Sequence, residues 1–190
     1  VVGVKCCSFT ETDEPAGTYD LIISEDSFLH AGKYRADCLK EAARLLKPGG
    51  FMVFTDPMEA DDADKAKLQP IYNRIHLEDM GSVAFYKEAA KQAGLEFKEF
   101  DPMVHQLRTH YATVREVLQT KYDHLINVDG ISKSYVDNMI QGLTYWVDGA
   151  DKGLLNYGIF TFQKPQITLQ DLKESLEKTV RMAEHLSKST

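Results

Sequence analysis

The feature that most constrains the fold is a pair of short apolar runs, each ending in polar residues. Tyr19-Asp20-Leu21-Ile22-Ile23 leads into Ser24-Glu25-Asp26-Ser27, and Phe51-Met52-Val53-Phe54 leads into Thr55-Asp56. Between them Leu39, Ala42, Ala43 and Leu46 recur at helical spacing, which predicts a helix near 33–46 between strands at 19–24 and 51–55. Pro48-Gly49-Gly50 stops that helix, because proline cannot continue the hydrogen-bond ladder and glycine accepts the reversing backbone. A strand–helix–strand unit closes by a right-handed parallel crossover. The two polar strand ends then lie side by side on the rim where open α/β sheets bind ligands.

Composition excludes several classes. At 190 residues the chain is most simply one domain with one good core. Its 43% hydrophobic and 27% charged residues are ordinary for a globular protein. A formal charge of −7 argues against nucleic acid, which rewards a basic surface. No apolar run approaches the roughly 20 residues that span a bilayer. Three cysteines, with Cys6 and Cys7 adjacent, do not form a disulfide framework and fit a reducing cytoplasm. Val1 is not an initiator methionine, so N-terminal targeting is left open.

The rest of the chain alternates helical and extended patterns. Residues 1–9 read as a short β-prone run, and 10–18 as a turn. Asp61, Asp62 and Asp64 crowd the start of a helix at about 62–76, where the helix dipole favours negative charge. Ser82 caps a second helix with Phe85, Ala89 and Ala93 inward, ended by Gly94. A strand begins at Leu95-Glu96-Phe97, and helices are predicted over 109–122 and 132–148. Residues 154–163 alternate as a final strand, and 168–188 place Leu169, Leu172, Leu176, Val180 and Leu186 on one helical stripe. These boundaries divide the chain into a domain portion at 1–163 and an amphipathic tail at 164–190.

Several blocks make the sequence resemble the class I S-adenosylmethionine-dependent methyltransferases: Leu45-Leu46-Lys47-Pro48-Gly49-Gly50, Ser24 to His30, Thr55-Asp56-Pro57-Met58, Gln69-Pro70-Ile71, Asp79-Met80-Gly81-Ser82, His110-Tyr111, and Trp146 ahead of Tyr157-Gly158. Within that superfamily they are most similar to the sarcosine/dimethylglycine N-methyltransferases. The resemblance covers roughly residues 8–163. It implies an α/β fold, the C-terminal half of a Rossmann-like sheet with helical insertions and an antiparallel last strand. It also implies methyl transfer from S-adenosylmethionine to a small amine such as sarcosine or dimethylglycine, towards betaine. A phosphoethanolamine- or sterol-type methyltransferase is the rival within the class, and a non-catalytic interaction fragment the rival outside it. A nicotinamide-binding domain shares the architecture but lacks the Leu-Lys-Pro-Gly-Gly block. One departure stands out: no Gly-x-Gly occurs in the chain, whereas such enzymes bring a glycine-rich loop against the cofactor. The expectation is a chain that begins after that loop and binds the cofactor weakly alone.

The resemblance further implies roles for individual residues. Ser8 and Phe9 would sit beside the adenine, Ser24 and Glu25 at the amino-acid part of the cofactor, and His30 on the wall shared with the substrate. The residues alone allow plainer roles: core packing for Phe9, a strand-end turn for Ser24, a helix cap for His30. Adjacent Glu25 and Asp26 point opposite ways on an extended segment, so a shared proton is not expected, and Asp56 is the better candidate to face the site. His30 and Asp56 are thus the candidate catalytic groups, with a turn or cap role the alternative for Asp56. A substrate such as dimethylglycine carries a carboxylate, which calls for an arginine. Its developing ammonium calls for aromatic faces. Arg74, Arg108, Tyr111, Trp146 and Tyr157 are the candidates, with His76 and His110 nearby; Met58, Met80 and Met103 fill gaps or flank the sulfonium. Cys6, Cys7, His105 and His110 match no zinc spacing, so no metal is expected. The tail packs on the domain or pairs with a second copy in a homodimer; its mixed charge argues against a membrane surface.

Overall fold

The predicted strand–helix–strand unit opens the fold. Strand β1 (Tyr19–Glu25) runs parallel to β2 (Leu46–Glu59), joined through a 3-10 turn (Phe28–Tyr34) and helix α1 (Arg35–Leu45). The structure is a computed structural model and describes residues 3–128 and 130–187. Val1 and Val2 of the predicted N-terminal strand lie outside the described residues; the rest of that run is not a strand. Only an isolated bridge between Ser8 and Glu11 forms there, and Val4 is 98% exposed, having no strand beside it to pair with.

Strand β2 is longer than the apolar run suggested, because another strand lines it from Phe51 to Glu59. Helix α2 (Lys65–Ile75) begins on Asp64, whose carboxylate accepts from the Ala66 amide at 3.1 Å. Helix α3 (Val83–Gln92) begins on Ser82, whose hydroxyl accepts from Phe85 N–H at 3.2 Å. Then come β3 (Glu96–Pro102), α4 (Val104–Thr120), α5 (Tyr122–Asn127), α6 (Lys133–Asp151), β4 (Leu155–Gln163) and α7 (Leu169–Ser187). The sheet order is β1-β2-β4-β3, and β4 is antiparallel to both its neighbours. Phe51 to Glu59 pair with Gln163 to Leu155, which carries β2 past Thr55. Lys164 N–H donates to the Gly50 carbonyl and Gln163 Nε2 to that of Gly49, beside a bend at Gly49, φ 82°; helix α1 has ended just before it, at Leu45, as Pro48-Gly49-Gly50 predicts.

Two cores result. In the first, α1 and α3 cover one face of the sheet, burying Leu39, Met52, Phe54, Ala90, Phe160 and Phe162. Phe54 stacks on Phe160 at 4.9 Å between ring centroids. Each fully buried phenylalanine contributes roughly 1.5–3 kcal/mol. Helix α3 turns Ala89 and Ala93 inward as predicted, but buries Tyr86 in place of Phe85, which is 38% exposed. The second core, built by α2, α4 and α6, is a helical cap over the strand ends: Leu68, Ile71, Tyr72, Met80, Leu107 and Trp146. Leu21, Ile23 and Phe51 stay exposed on the sheet's other face. Among the described residues no helix is long and apolar enough to cross a membrane.

Candidate active site

The rim is built where β1 stops. Asp26 takes a left-handed backbone, φ 48°, and its N–H donates to the Thr55 carbonyl at 3.0 Å. Asparagine and aspartate tolerate that region better than other residues with a Cβ. The bend leaves the half-buried Asp26 carboxylate beside β2: Thr55 Oγ1 donates to Oδ1 at 2.8 Å, and the Tyr157 hydroxyl lies 3.5 Å from Oδ2. Tyr157 reaches this place from the start of β4, opposite Pro57.

The cap completes the enclosure. Tyr111 on α4 stacks on Trp146 of α6, with ring centroids 4.9 Å apart and planes 19° from parallel. Burial pushes the Tyr111 hydroxyl above its ordinary pKa; the Asp26 charge adds to the rise, and the Arg74 charge opposes it. Burial likewise raises Tyr157, with Thr55 opposing and Asp26 adding. Asp26, Tyr157, Tyr111 and Arg74 therefore share one electrostatic neighbourhood. Gly142 lets Arg74 in: a Cβ there would collide with the Arg74 side chain, which crosses α6 to place Nη2 at 3.1 Å from Met139 Sδ.

A second feature lies along the β1 edge. A cleft of about 490 Å³ is lined by Phe9, Leu21, Ile23, Ser24, Glu25 and Ser27, among others. Phe9 packs edgewise on Phe28, ring centroids 6.0 Å apart, and is 44% exposed. An aromatic face beside polar strand-end groups fits one wall of a nucleoside-bearing sulfonium. Ser8 is not part of the lining; its hydroxyl bonds that of Thr10 at 2.8 Å. His30 is exposed on the 3-10 turn just beyond, its N–H on the Ser27 carbonyl.

Two sequence expectations change. Asp56 does not face the rim: it is 0% exposed, on the same pleat face as Met52 and Phe54. Its carboxyl accepts from Leu29 N–H at 3.0 Å and from the Tyr86 hydroxyl at 2.5 Å. Arg108 is not with the other substrate candidates either; it pairs with Asp151 at 3.0 Å in an exposed ion pair. Sequence reasoning passed over Asp26 and Thr55 as site groups, although both lie in the polar residues that follow the two apolar runs. It also missed Arg35 and Glu59, both buried. Arg35 binds Asp79 and the Leu29 carbonyl; Glu59 accepts from Tyr72 Oη at 2.6 Å and pairs with Lys65. Among the described residues no cluster could hold a metal ion.

Comparison with known proteins bears on this geometry. Residues 2–54 match the family model described as a methyltransferase domain. The chain is 42% identical over 158 residues to a sarcosine/dimethylglycine N-methyltransferase of Aphanothece halophytica, covering 83% of this chain and 56% of that protein. It is 41% identical over 164 residues to that of Halorhodospira halochloris, covering 86% and 58%. The chain thus spans somewhat over half the length of the curated relatives it matches. A structure from Galdieria sulphuraria, proposed to be a sarcosine dimethylglycine methyltransferase, superposes with a TM-score of 0.78 at 36% identity, over 86% of this chain and 59% of that one. A phosphoethanolamine N-methyltransferase of Haemonchus contortus, solved with S-adenosyl-L-methionine, shares the fold at 18% identity and a TM-score of 0.72, covering 84% of this chain and 36% of that one. With its antiparallel last strand, its polar strand-end rim and these relatives, the chain belongs to the class I S-adenosylmethionine-dependent methyltransferases.

Proposed function

We propose that this chain forms the substrate wall and one cofactor wall of an N-methyltransferase that uses S-adenosylmethionine to methylate sarcosine or dimethylglycine, towards betaine. The observation that carries the reading is the Asp26 carboxylate beside the Tyr157 hydroxyl, with Tyr111 and the Arg74 charge in the same electrostatic neighbourhood. A zwitterionic amino acid needs an anion and aromatic faces at its nitrogen and a cation at its carboxylate. Asp26 with the aromatic rings supplies the first pair, and Arg74 the second. Arg108, held by Asp151, takes no part.

The cofactor, when bound, supplies an electrophilic methyl group on a sulfonium. The chain's residues have the rest of the work. Ser24, Glu25 and Phe9 form the wall on which it rests, with His30 on the turn beside them. Asp26 and Tyr157 orient the amine so that its lone pair points along the methyl–sulfur axis; such alignment supplies much of the rate. Asp26 also accepts the proton an ammonium must release before its nitrogen can attack.

Three further readings go with this one. Residues 1–163 form the methyltransferase portion and 164–190 the tail. The free thiols of Cys6, Cys7 and Cys38 fit a cytoplasmic setting. Helix α7 presents Leu169, Leu172 and Leu176 outward, the stripe expected to mediate any homodimer, which sedimentation of a Leu172→Glu variant tests.

Turnover of glycine, sarcosine and dimethylglycine by the full-length protein, with phosphoethanolamine as competitor, tests the proposal. Methylation of sarcosine or dimethylglycine is the expected result. No turnover of either, or preference for the phosphobase, would overturn it.

A further inference from the structure

We propose that Asp56 is a positioning residue: its buried carboxyl clamps the turn carrying His30 through the Leu29 amide, and ionisation of that carboxyl loosens the clamp. The geometry carries this. Asp56 is wholly buried and holds two elements at once, Leu29 N–H from the 3-10 turn at 3.0 Å and the Tyr86 hydroxyl of α3 at 2.5 Å. The same turn is fixed from its other side, where Arg35 Nη2 donates to the Leu29 carbonyl at 3.1 Å. Between Asp26 and His30, Phe28 is buried against Phe54, and Leu29 beside it is held at both its N–H and its carbonyl.

Among the described residues no cation pairs with Asp56. Arg35 on α1 is near enough to favour its charge, but its terminal nitrogens are committed to Asp79 Oδ1 and the Asp79 carbonyl, both at 2.7 Å, and to Leu29. Besides the Leu29 amide, the remaining groups facing Asp56 favour its charge through one hydrogen bond only. Tyr86 donates that bond and stays neutral, its own pKa driven well up by burial. Cys38 of α1 is pushed up by burial to about 11 and is a neutral thiol throughout. Asp26, at the end of β1, adds like charge. Burial therefore dominates and raises Asp56 from its ordinary 3.8 to about 7, against the Tyr86 and Leu29 hydrogen bonds.

The sign follows from linkage. When the turn opens and water reaches Asp56, its pKa returns towards 3.8. The closed turn therefore holds a proton that the open turn releases. The stabilisation of the closed form is complete below the lower value, is lost as pH rises through the interval, and levels off above about 7. For the methyl-transfer reading, on which the functional consequence rests, the His30 wall is then more firmly set at mildly acidic pH than at alkaline pH.

Amide hydrogen exchange in this chain tests the clamp without any turnover. The Leu29 protection factor, corrected for intrinsic exchange, should fall by up to about tenfold per pH unit between pH 5 and 7 and then level. Asp56→Asn keeps an acceptor for Leu29 but cannot titrate, and its Leu29 protection should not vary with pH. Tyr86→Phe removes a bond that favours the charged form, so its levelling point should move to higher pH. A Leu29 protection factor independent of pH in the parent chain overturns the proposal. So does an unmoved levelling point in Tyr86→Phe, which decides the matter if Asp56→Asn does not fold. In the full-length enzyme, the ratio of kcat/KM for Asp56→Asn over the parent should rise from pH 5 to 7 and then flatten. A variant inactive at every pH while folded would instead make Asp56 a proton acceptor. Absence of turnover in the parent would count against the proposed function, and the exchange experiment would still decide the clamp.

Discussion

The two cores of this molecule are built differently. The sheet core under α1 and α3 is a continuous stack of rings and aliphatic chains, in which Phe54 touches Phe28, Tyr86, Phe160 and Phe162. The cap core over the strand ends is smaller and mixed: Trp146 and Tyr72 pack beside a buried Glu59, and Tyr111 and Tyr157 turn their hydroxyls towards the rim. Polar atoms play opposite parts in the two regions. In the sheet core, Asp56 is a fastening and points away from the cleft. In the cap, Tyr157 turns its hydroxyl to Asp26, and Arg74 lies against Gly142 and Met139 of α6. The sheet core holds the scaffold, and under the proposed function the cap carries the recognition.

Substitutions should separate the two. Phe54→Ala is expected to have the largest effect on stability, about 3–5 kcal/mol, because it removes the centre of the ring stack. Urea unfolding followed by circular dichroism measures it. A loss below about 1 kcal/mol would mean the stack is not the scaffold. Gly142→Ala in α6 should act the other way round. Alanine favours the helix by up to about 1 kcal/mol, yet its Cβ displaces the Arg74 side chain. The melting temperature should hold or rise while KM for the amino-acid substrate rises about tenfold; an unchanged KM would remove Arg74 from the site. Arg108→Ala should be the smallest, with no measurable change in stability or KM, since its pair with Asp151 lies in solvent. A raised KM there would redraw the boundary of the cap.

Much of the scaffold was legible in the sequence because it rests on local periodicity. The strand–helix–strand unit, the Asp64 and Ser82 caps and the alternation of β4 all follow from neighbouring residues. Misreadings arose where a distant partner decides. The reach of β2 past Thr55 is one case, since β4 pairs with it as far as Glu59. Tyr86 is turned inward, and not Phe85, because its hydroxyl has a buried acceptor thirty positions away in Asp56. Asp56 itself could have been placed by alternation: it follows Met52 and Phe54 at steps of two, so it shares their buried face, while Thr55 shares the other. The family resemblance supplied Arg74, Tyr111, Trp146 and Tyr157 as candidates. Their meeting depends on how α2, α4 and α6 cross above the sheet, which no local pattern encodes.

The most direct test is dimethylglycine methylation by an Asp26→Asn variant of the full-length protein, measured beside its unfolding midpoint. Asp26 lies at the rim, outside both cores, and its carboxylate meets Thr55 and Tyr157. The account predicts a fall in kcat/KM of about a hundredfold, the scale of a lost proton acceptor, with the midpoint unchanged. Full turnover by the folded variant would contradict it.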